Sequence, residues 1–279
     1  FQSVKLEDRV VGLELEQEFS ANITPIKSRV WYTKEDHSLR NFGYEFVTDG
    51  PISIANVESA TKELEDYLSK QPLIRNSPRT SFHVHHNVLD EMPEHIVNSI
   101  LLYWLFENVL FKMCDKEREG HLFCLRLKDS IGIALELRNS VYKDNVPFES
   151  FRGDGWRYGG INLNALLKFG TLESRGLHGV HTAKEMQAWT LLFHKIISSG
   201  KKFDNPEMLM DYFYKNSYDN LIRMVFDDMT DTFVSLDKNY RDLMDENVCT
   251  VASVAYCISW DKWIKGLEKK RSKQKPREI

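Results

Sequence analysis

Three stretches of this sequence set polar side chains in strict alternation: "GLELEQE" with Glu14 and Glu16, "SFHVHHN" with His83 and His85, and "TLESR" with Glu173 and Arg175. In an extended chain alternate residues share a face, so each stretch offers a pair of polar groups side by side. Each pair suggests chemistry. Two adjacent imidazoles suit a metal ion or a phosphate. Carboxylates are hard oxygen ligands for Mg²⁺ or Mn²⁺, ions commonly held by a few carboxylates together with nucleotide phosphate oxygens. The planar fork of Arg175 fits a phosphate or a carboxylate. A half-solvated strand carries any one such pair with no function at all. Three pairs on one sheet face are a different matter, because burying carboxylates, imidazoles and a guanidinium together is costly unless they meet a ligand.

The elements that must position these residues follow from periodicity. Residues 10–19 alternate with Leu13, Leu15 and Phe19 on one face and Glu14, Glu16 and Glu18 on the other, which predicts a strand with one buried side. Further strands are expected at 29–33, 44–48 and 80–88, where His83, His85 and Asn87 oppose Phe82, Val84, His86 and Val88. Residues 161–177 read as strand, irregular piece and strand, with Thr171, Glu173 and Arg175 on one face of the second. Amphipathic spacing of Val57, Ala60, Leu64, Tyr67 and Leu68 predicts a helix over 53–70. A second helix, 93–113, starts with Pro93 and is apolar nearly all round. Glu107 is its exception, either a surface edge or a carboxylate facing a polar site. Helix 183–198 follows, with Met186, Trp189, Phe193, Ile196 and Ile197 as its buried stripe. From Pro206 to about Trp263 the pattern is helical with one interruption near "DDMTD". This order predicts an α/β or α+β chain with a largely antiparallel sheet, because most of these strands have one charged face.

Composition bounds the function. The 279 residues carry a net charge of −4, with 42% hydrophobic and 28% charged residues. That balance excludes wholesale disorder and gives no basic field for nucleic acid, so small molecules or proteins are the expected partners. Cys114, Cys124, Cys249 and Cys257 show no C-x-x-C pairing, which argues against a zinc knuckle or a disulfide framework and points to a reducing, cytosolic compartment. The apolar stretches at 96–106 and 247–260 fall short of the roughly 20 residues that cross a bilayer. No basic-then-apolar leader is visible after Phe1, and the basic run "KKRSKQKPR" reads as a solvated tail.

The succession "VGLELE", "DHSLRNFGYEFVT", "FHVHHNV" and "YGGINLNALLKFGTLESRGLHG" resembles the amidoligase family of phage and bacterial genomes, distant relatives of glutamine synthetase and glutamate–cysteine ligase. The resemblance runs from residue 10 to about 197. It implies a glutamine-synthetase-like fold, a curved antiparallel sheet holding ATP and Mg²⁺ or Mn²⁺ on its concave face. By matching position it implies Glu14, Glu16, His85 and Glu173 as metal ligands. His83, His85, Asn162 and Arg175 become nucleotide or phosphate contacts, and Arg175 and Glu45 the catalytic pair, Glu45 as the base. Asp36 and Ser38 match a D-x-S turn, Tyr158 the start of the Y…N…E-x-R segment and, more weakly, Arg118 a later contact. His37, the "VTDGP" segment and Ser174 depart from the family pattern and bear on substrate preference. The implied organisation is a ligase core over 1–200, a helical extension over 201–263 and the basic tail over 264–279, and the implied reaction joins a small-molecule or peptide carboxylate to an amine.

Two other readings use the same residues. A cupin-like metal hydrolase or oxygenase would build on His83 and His85, with Asp90 or Glu91 as a third ligand. A binding module on the same fold would have lost catalysis.

Overall fold

The computed structural model describes residues 9–118, 121–122, 124–130, 132–137, 148–256, 260 and 265–266. Its sheet is built around β1 (Arg9–Phe19), which pairs antiparallel along one edge with β3 (Phe42–Thr48) and β4 (Ile52–Ser53) and along the other with β6 (Ser81–Asn87) and β5 (Ile74–Arg75). β2 (Trp31–Glu35) extends the β3 side, and β8 (Thr171–His178) followed by β7 (Ile161–Asn162) extends the β6 side, giving eight strands with all named pairings antiparallel. The chain is thus α+β, with an antiparallel sheet backed by helices.

Alternation along β1 decides which face is covered. Leu13, Leu15 and Phe19 are fully buried, and they join Phe46, Phe82 and Val84 of the neighbouring strands in one core. Burying each such side chain contributes about 1.5–3 kcal/mol, so a one-residue slip, which turns the whole row to the opposite face, is strongly disfavoured. The helices in chain order are α1 (Val57–Leu68), α2 (Pro93–Leu110), α3 (Asn164–Phe169), α4 (Ala183–Ser199), α5 (Pro206–Lys215), α6 (Tyr218–Phe226), α7 (Thr230–Val234) and α8 (Tyr240–Tyr256), and the apolar side chains of α1, α2 and α4 join this core. α4 is N-capped by Thr182, whose hydroxyl oxygen accepts a hydrogen bond from the Glu185 backbone N–H. Its buried stripe contains Met186, Trp189, Phe193, Ile196 and Ile197, as the spacing predicts.

Several expectations need correction. Helix α1 starts later than the predicted residue 53, because Ile52–Ser53 pairs with β1 and a 3₁₀ turn at Ile54–Asn56 intervenes. The C-terminal region is broken more often than the single interruption at "DDMTD", with Ser217 capping α6 and a further break before Tyr240. The stretch Pro93–Met113 reaches 21 residues and is long and apolar enough to cross a membrane by length and composition, contrary to the shorter span expected. It is instead the central helix of the core: every residue of α2 except His95 is buried. Asn108 Nδ2 donates to the Leu243 carbonyl at 3.0 Å and Asn247 Nδ2 to the Trp104 carbonyl at 2.8 Å, fastening α8 onto it.

Glu107, on the same helix, is no surface edge. It is fully buried and both carboxyl oxygens accept from the Leu127 N–H, at 2.9 and 2.7 Å. Burial pushes its carboxyl up to about 8 against the pull of the Leu127 and Lys128 backbone amides. Among the described residues Cys114, Cys124 and Cys249 form no disulfide, while Cys257 and most of the basic tail lie outside the described residues.

Candidate metal centre

Strand register turns the three sequence pairs into one cluster. Across β1 and β6, Glu14 lies opposite His83 and Gly12 opposite His85; across β6 and β8, His85 lies opposite Glu173; and Asn162 of β7 lies opposite Glu173. Between Phe82 and Val84 the register shifts, and β8 spends Arg175 and Gly176 against the single residue His83. This bulge begins two residues after Glu173, beyond the regular pair Val84–Ser174, and such irregularities commonly re-aim side chains beside functional sites. The backbone there is held by two hydrogen bonds: the Arg175 N–H donates to the Gly160 carbonyl at 2.9 Å, and Arg118 Nη2 donates to the Arg175 carbonyl at 2.6 Å.

Side chains then meet on the face opposite the core. His85 Nε2 lies 3.5 Å from Glu14 Oε1 and 3.6 Å from Glu173 Oε2. One donor atom each from Glu14, His85 and Glu173 falls within 4.8 Å of the others, the spacing of groups that could share one metal ion. His83 sits beneath them at 1% exposure, with Nδ1 3.4 Å from Glu14 Oε2 and 3.6 Å from Glu173 Oε1. Its Nε2 is buried without a hydrogen-bond partner, 3.9 Å from Glu16.

Electrostatics keep the two carboxylates charged. Burial opposes ionisation of Glu14, but hydrogen bonds and charge from His83 and His85 outweigh it and hold the group well below the usual carboxylate range. Glu173 is likewise penalised by burial and yet lowered, by His83, Arg175 and His85. Arg175 Nη1 donates to Glu173 Oε1 at 2.6 Å, and Asn162 Nδ2 donates to Glu173 Oε2 at 2.5 Å. The Asn162 side-chain oxygen accepts from the Asn164 N–H at 3.0 Å, so the start of α3 fixes the amide that orients the carboxylate. Such partners hold metal-binding groups in place.

The other predicted residues are placed less centrally. Glu16 accepts a hydrogen bond from Ser81 Oγ and stands outside the trio of converging donors. Glu45, opposite Glu16 in the register, pairs with Lys34 at 2.8 Å. Its carboxyl is raised by burial, with the charges of Glu14 and Glu16 adding to this and Lys34 opposing it. Asp36 Oδ1 accepts from the Ser38 N–H at 2.8 Å in a tight turn near the Glu18 end of β1, where Glu18 accepts from the Arg40 N–H, away from the cluster. Tyr158 supplies its carbonyl to the Leu125 N–H, with the Arg157 guanidinium 5.5 Å from its ring centre. Arg118 is buried and spends its guanidinium on the carbonyls of Pro78 and Arg175, which makes it a brace for β8.

Two features escape the motif reading. Thr171 Oγ1 lies 3.0 Å from His85 Nδ1, and Gly12 stands beside His85 on β1, where a β-carbon would be 3.6 Å from His85 Cβ. An isolated glycine inside a strand was the available signal for the second.

No protein-family model matches the chain, and no curated protein matches it. Among solved structures it is similar to a bifunctional glutathione synthetase from Pasteurella multocida, at 10% identity and a TM-score of 0.36, over 93% of this chain and 49% of that one. The chain therefore spans about half the length of that enzyme, and a likeness this distant carries nothing about activity.

Proposed function

We propose that this chain is an ATP-dependent carboxylate–amine ligase on a glutamine-synthetase-like sheet, working with Mg²⁺ or Mn²⁺. The observation that carries the reading is the convergence of Glu14, His85 and Glu173 with Arg175 bonded directly to Glu173, on three neighbouring strands in the order that the amidoligase motifs follow. The donor set fits a hard divalent ion: two carboxylates held in their ionised form and one imidazole, with His83 Nδ1 beneath them. When bound, the cation would offset the repulsion between triphosphate and acceptor carboxylate.

In this reading the γ-phosphoryl passes to an acceptor carboxylate oxygen, releasing ADP and leaving an acyl phosphate. The amine nitrogen then attacks the acyl carbon, phosphate departs and a base takes the amine proton. Glu14, His85 and Glu173 would hold the cation, and Asn162 and Thr171 keep Glu173 and His85 oriented. Arg175 supplies a fixed positive fork beside the transferring group, where preorganised charge is most effective. Glu45, whose carboxylate is paired with Lys34 and whose proton affinity is raised by burial and its acidic neighbours, is the residue suited to accept the amine proton.

One observation favours a metal-dependent hydrolase as the second reading: His83 and His85 lie together with two carboxylates, a donor set that needs no nucleotide. Calorimetry separates the two. The ligase reading predicts ATP binding that requires Mg²⁺ or Mn²⁺ and is lost in Glu14→Gln. Cation binding without any nucleotide affinity supports the hydrolase, and metal-independent ATP binding contradicts both.

A further inference from the structure

Beside the cluster, on the Gly12 side, a pocket of about 350 Å³ opens between the β3–β4 turn and the end of α3. Glu14, His85 and Thr171 line its inner end, while Val10, Val47, Pro51, Leu89 and Phe169 form its walls. Two of the three converging donors therefore line a mostly apolar chamber, to which Thr48, Asn87 and Thr171 add the other polar side chains.

The local sequence builds this chamber in specific ways. Gly12 occupies the floor, where a β-carbon would make only ordinary contacts, 3.6 Å from His85 Cβ and 3.9 Å from Thr48 Oγ1. No steric demand requires glycine there, and what its absent side chain provides is depth. On one rim, Gly170 ends α3 in the left-handed region at φ 69°, where it lies so close to Leu89 that a β-carbon would collide with that side chain. That turn sets Phe169 over His85, ring centres 5.9 Å apart at 80°. Leu89 and Phe169 remain 70% and 63% exposed, a large apolar surface to leave in water at the mouth of a polar site.

We propose that this pocket holds the apolar side chain of the carboxylate substrate, an aromatic or branched aliphatic group, with Gly12 setting the depth available to it. The inference rests on the ligase reading of the adjoining cluster. The carboxylate end is assigned to the Glu14 side because a divalent cation there matches the charge of Glu14 and Glu173, and Arg175 adds a positive group next to them. An apolar tail attached to that carboxylate can lie in this pocket, across Gly12 toward Phe169. Burial of a phenyl or branched alkyl group at about 25 cal/mol per Å² is enough to raise affinity roughly tenfold over a substrate without it.

The test uses the whole chain with Mn²⁺, following bound metal by electron paramagnetic resonance and titrating acetate, 3-methylbutanoate and 3-phenylpropanoate by ligand-observed NMR. The larger acids are expected to bind at least about tenfold more tightly than acetate. Gly12→Leu, which fills the floor, and Phe169→Ala, which removes an exposed rim residue, are each expected to erase that preference while Mn²⁺ binding persists. Equal affinity for all three acids, or a preference unchanged in both variants, overturns the pocket assignment and leaves the metal site standing. Loss of Mn²⁺ binding in the parent chain instead counts against the ligase reading. The dependence on Gly12 and Phe169, measured in the same way without metal, then decides the pocket by itself.

Discussion

Thr171 Oγ1 stands 3.0 Å from His85 Nδ1, while the other ring nitrogen of His85 faces Glu14 and Glu173. With Nδ1–H donated to the threonine hydroxyl, the Nε2 lone pair is directed between the two carboxylates, where a cation would sit. Thr171→Val keeps the β-branched shape and removes the acceptor. Mn²⁺ affinity, measured by calorimetry, is expected to fall about 10–100-fold, as is usual when an orienting partner of a metal ligand is removed. An unchanged affinity would show that His85 is not a ligand.

Glu14 and Glu16 are equivalent in the motif and differ in the structure. Glu14 belongs to the converging trio, whereas Glu16 is engaged by Ser81 Oγ. Glu14→Gln should abolish Mn²⁺ binding at concentrations that saturate the parent protein. Glu16→Gln should weaken it by less than about tenfold, the order of a nearby charge that is not itself a ligand. Isothermal titration of both variants side by side checks the ranking, and the reverse order would shift the centre toward the outer end of β1.

Arg175 is more enclosed than an open cleft residue. Its side chain is 13% exposed and its partner Glu173 is 4% exposed. Removing one member of such a buried pair costs about 3–5 kcal/mol. Arg175→Ala is therefore expected to lower the melting temperature of the metal-free protein, and Mn²⁺ should restore much of the loss by giving Glu173 a new positive partner. Arg175→Lys should retain stability and recover turnover only in part, because an ammonium cannot reproduce the planar fork. Thermal melts with and without Mn²⁺ make the check, and a loss that Mn²⁺ leaves untouched would mean that Glu173 does not face the cation.

Glu107 gives the fold a pH signature separate from the site. Its folded carboxyl, at about 8, lies above its ordinary value of 4.5, so between those values the folded state holds a proton that the unfolded state has lost. The resulting stability is fully present below about pH 4.5 and is lost as pH rises through about 8. Glu107→Gln keeps the shape without the titration, and its urea-unfolding free energy should vary less between pH 5 and pH 9 than that of the parent. Identical pH profiles would show that Glu107 is ionised in the fold at neutral pH.

Much of this arrangement is legible because strand alternation is a local property. The parity of Glu14, His83, His85, Glu173 and Arg175 follows from spacing alone, as does the burial of Leu13, Leu15 and Phe19. Register is less local. The bulge at Arg175 and Gly176 depends on pairing between residues far apart in the chain, and no periodicity within β8 announces it. The same holds for His86, whose Nε2 lies 2.9 Å from His194 Nδ1 across 108 residues of sequence, a contact made behind the sheet. Glu107 is hard to place because α2 is buried nearly all round, with helices that follow it in the chain, α4, α5 and α8, packed against it, so a charged residue on its stripe has no surface to reach. Asp36 and Ser38 match a motif and yet form a turn stabilised by their own hydrogen bond, which shows that a short match alone does not place a residue at the cluster.

The most direct measurement is hydroxamate formation from ATP, Mg²⁺, hydroxylamine and a panel of carboxylates that includes amino acids, small peptides and 3-phenylpropanoate. Hydroxylamine stands in for the amine and traps an activated acyl group, so the account predicts ADP and hydroxamate in equal amounts with at least one acid. Both products should be lost without Mg²⁺ and in Glu14→Gln, and reduced at least about a hundredfold in Arg175→Ala, whose charge is used most in the transition state. ADP released at the same rate with no carboxylate present, or no ADP above background with any acid while Mg²⁺ and ATP are bound, would contradict it.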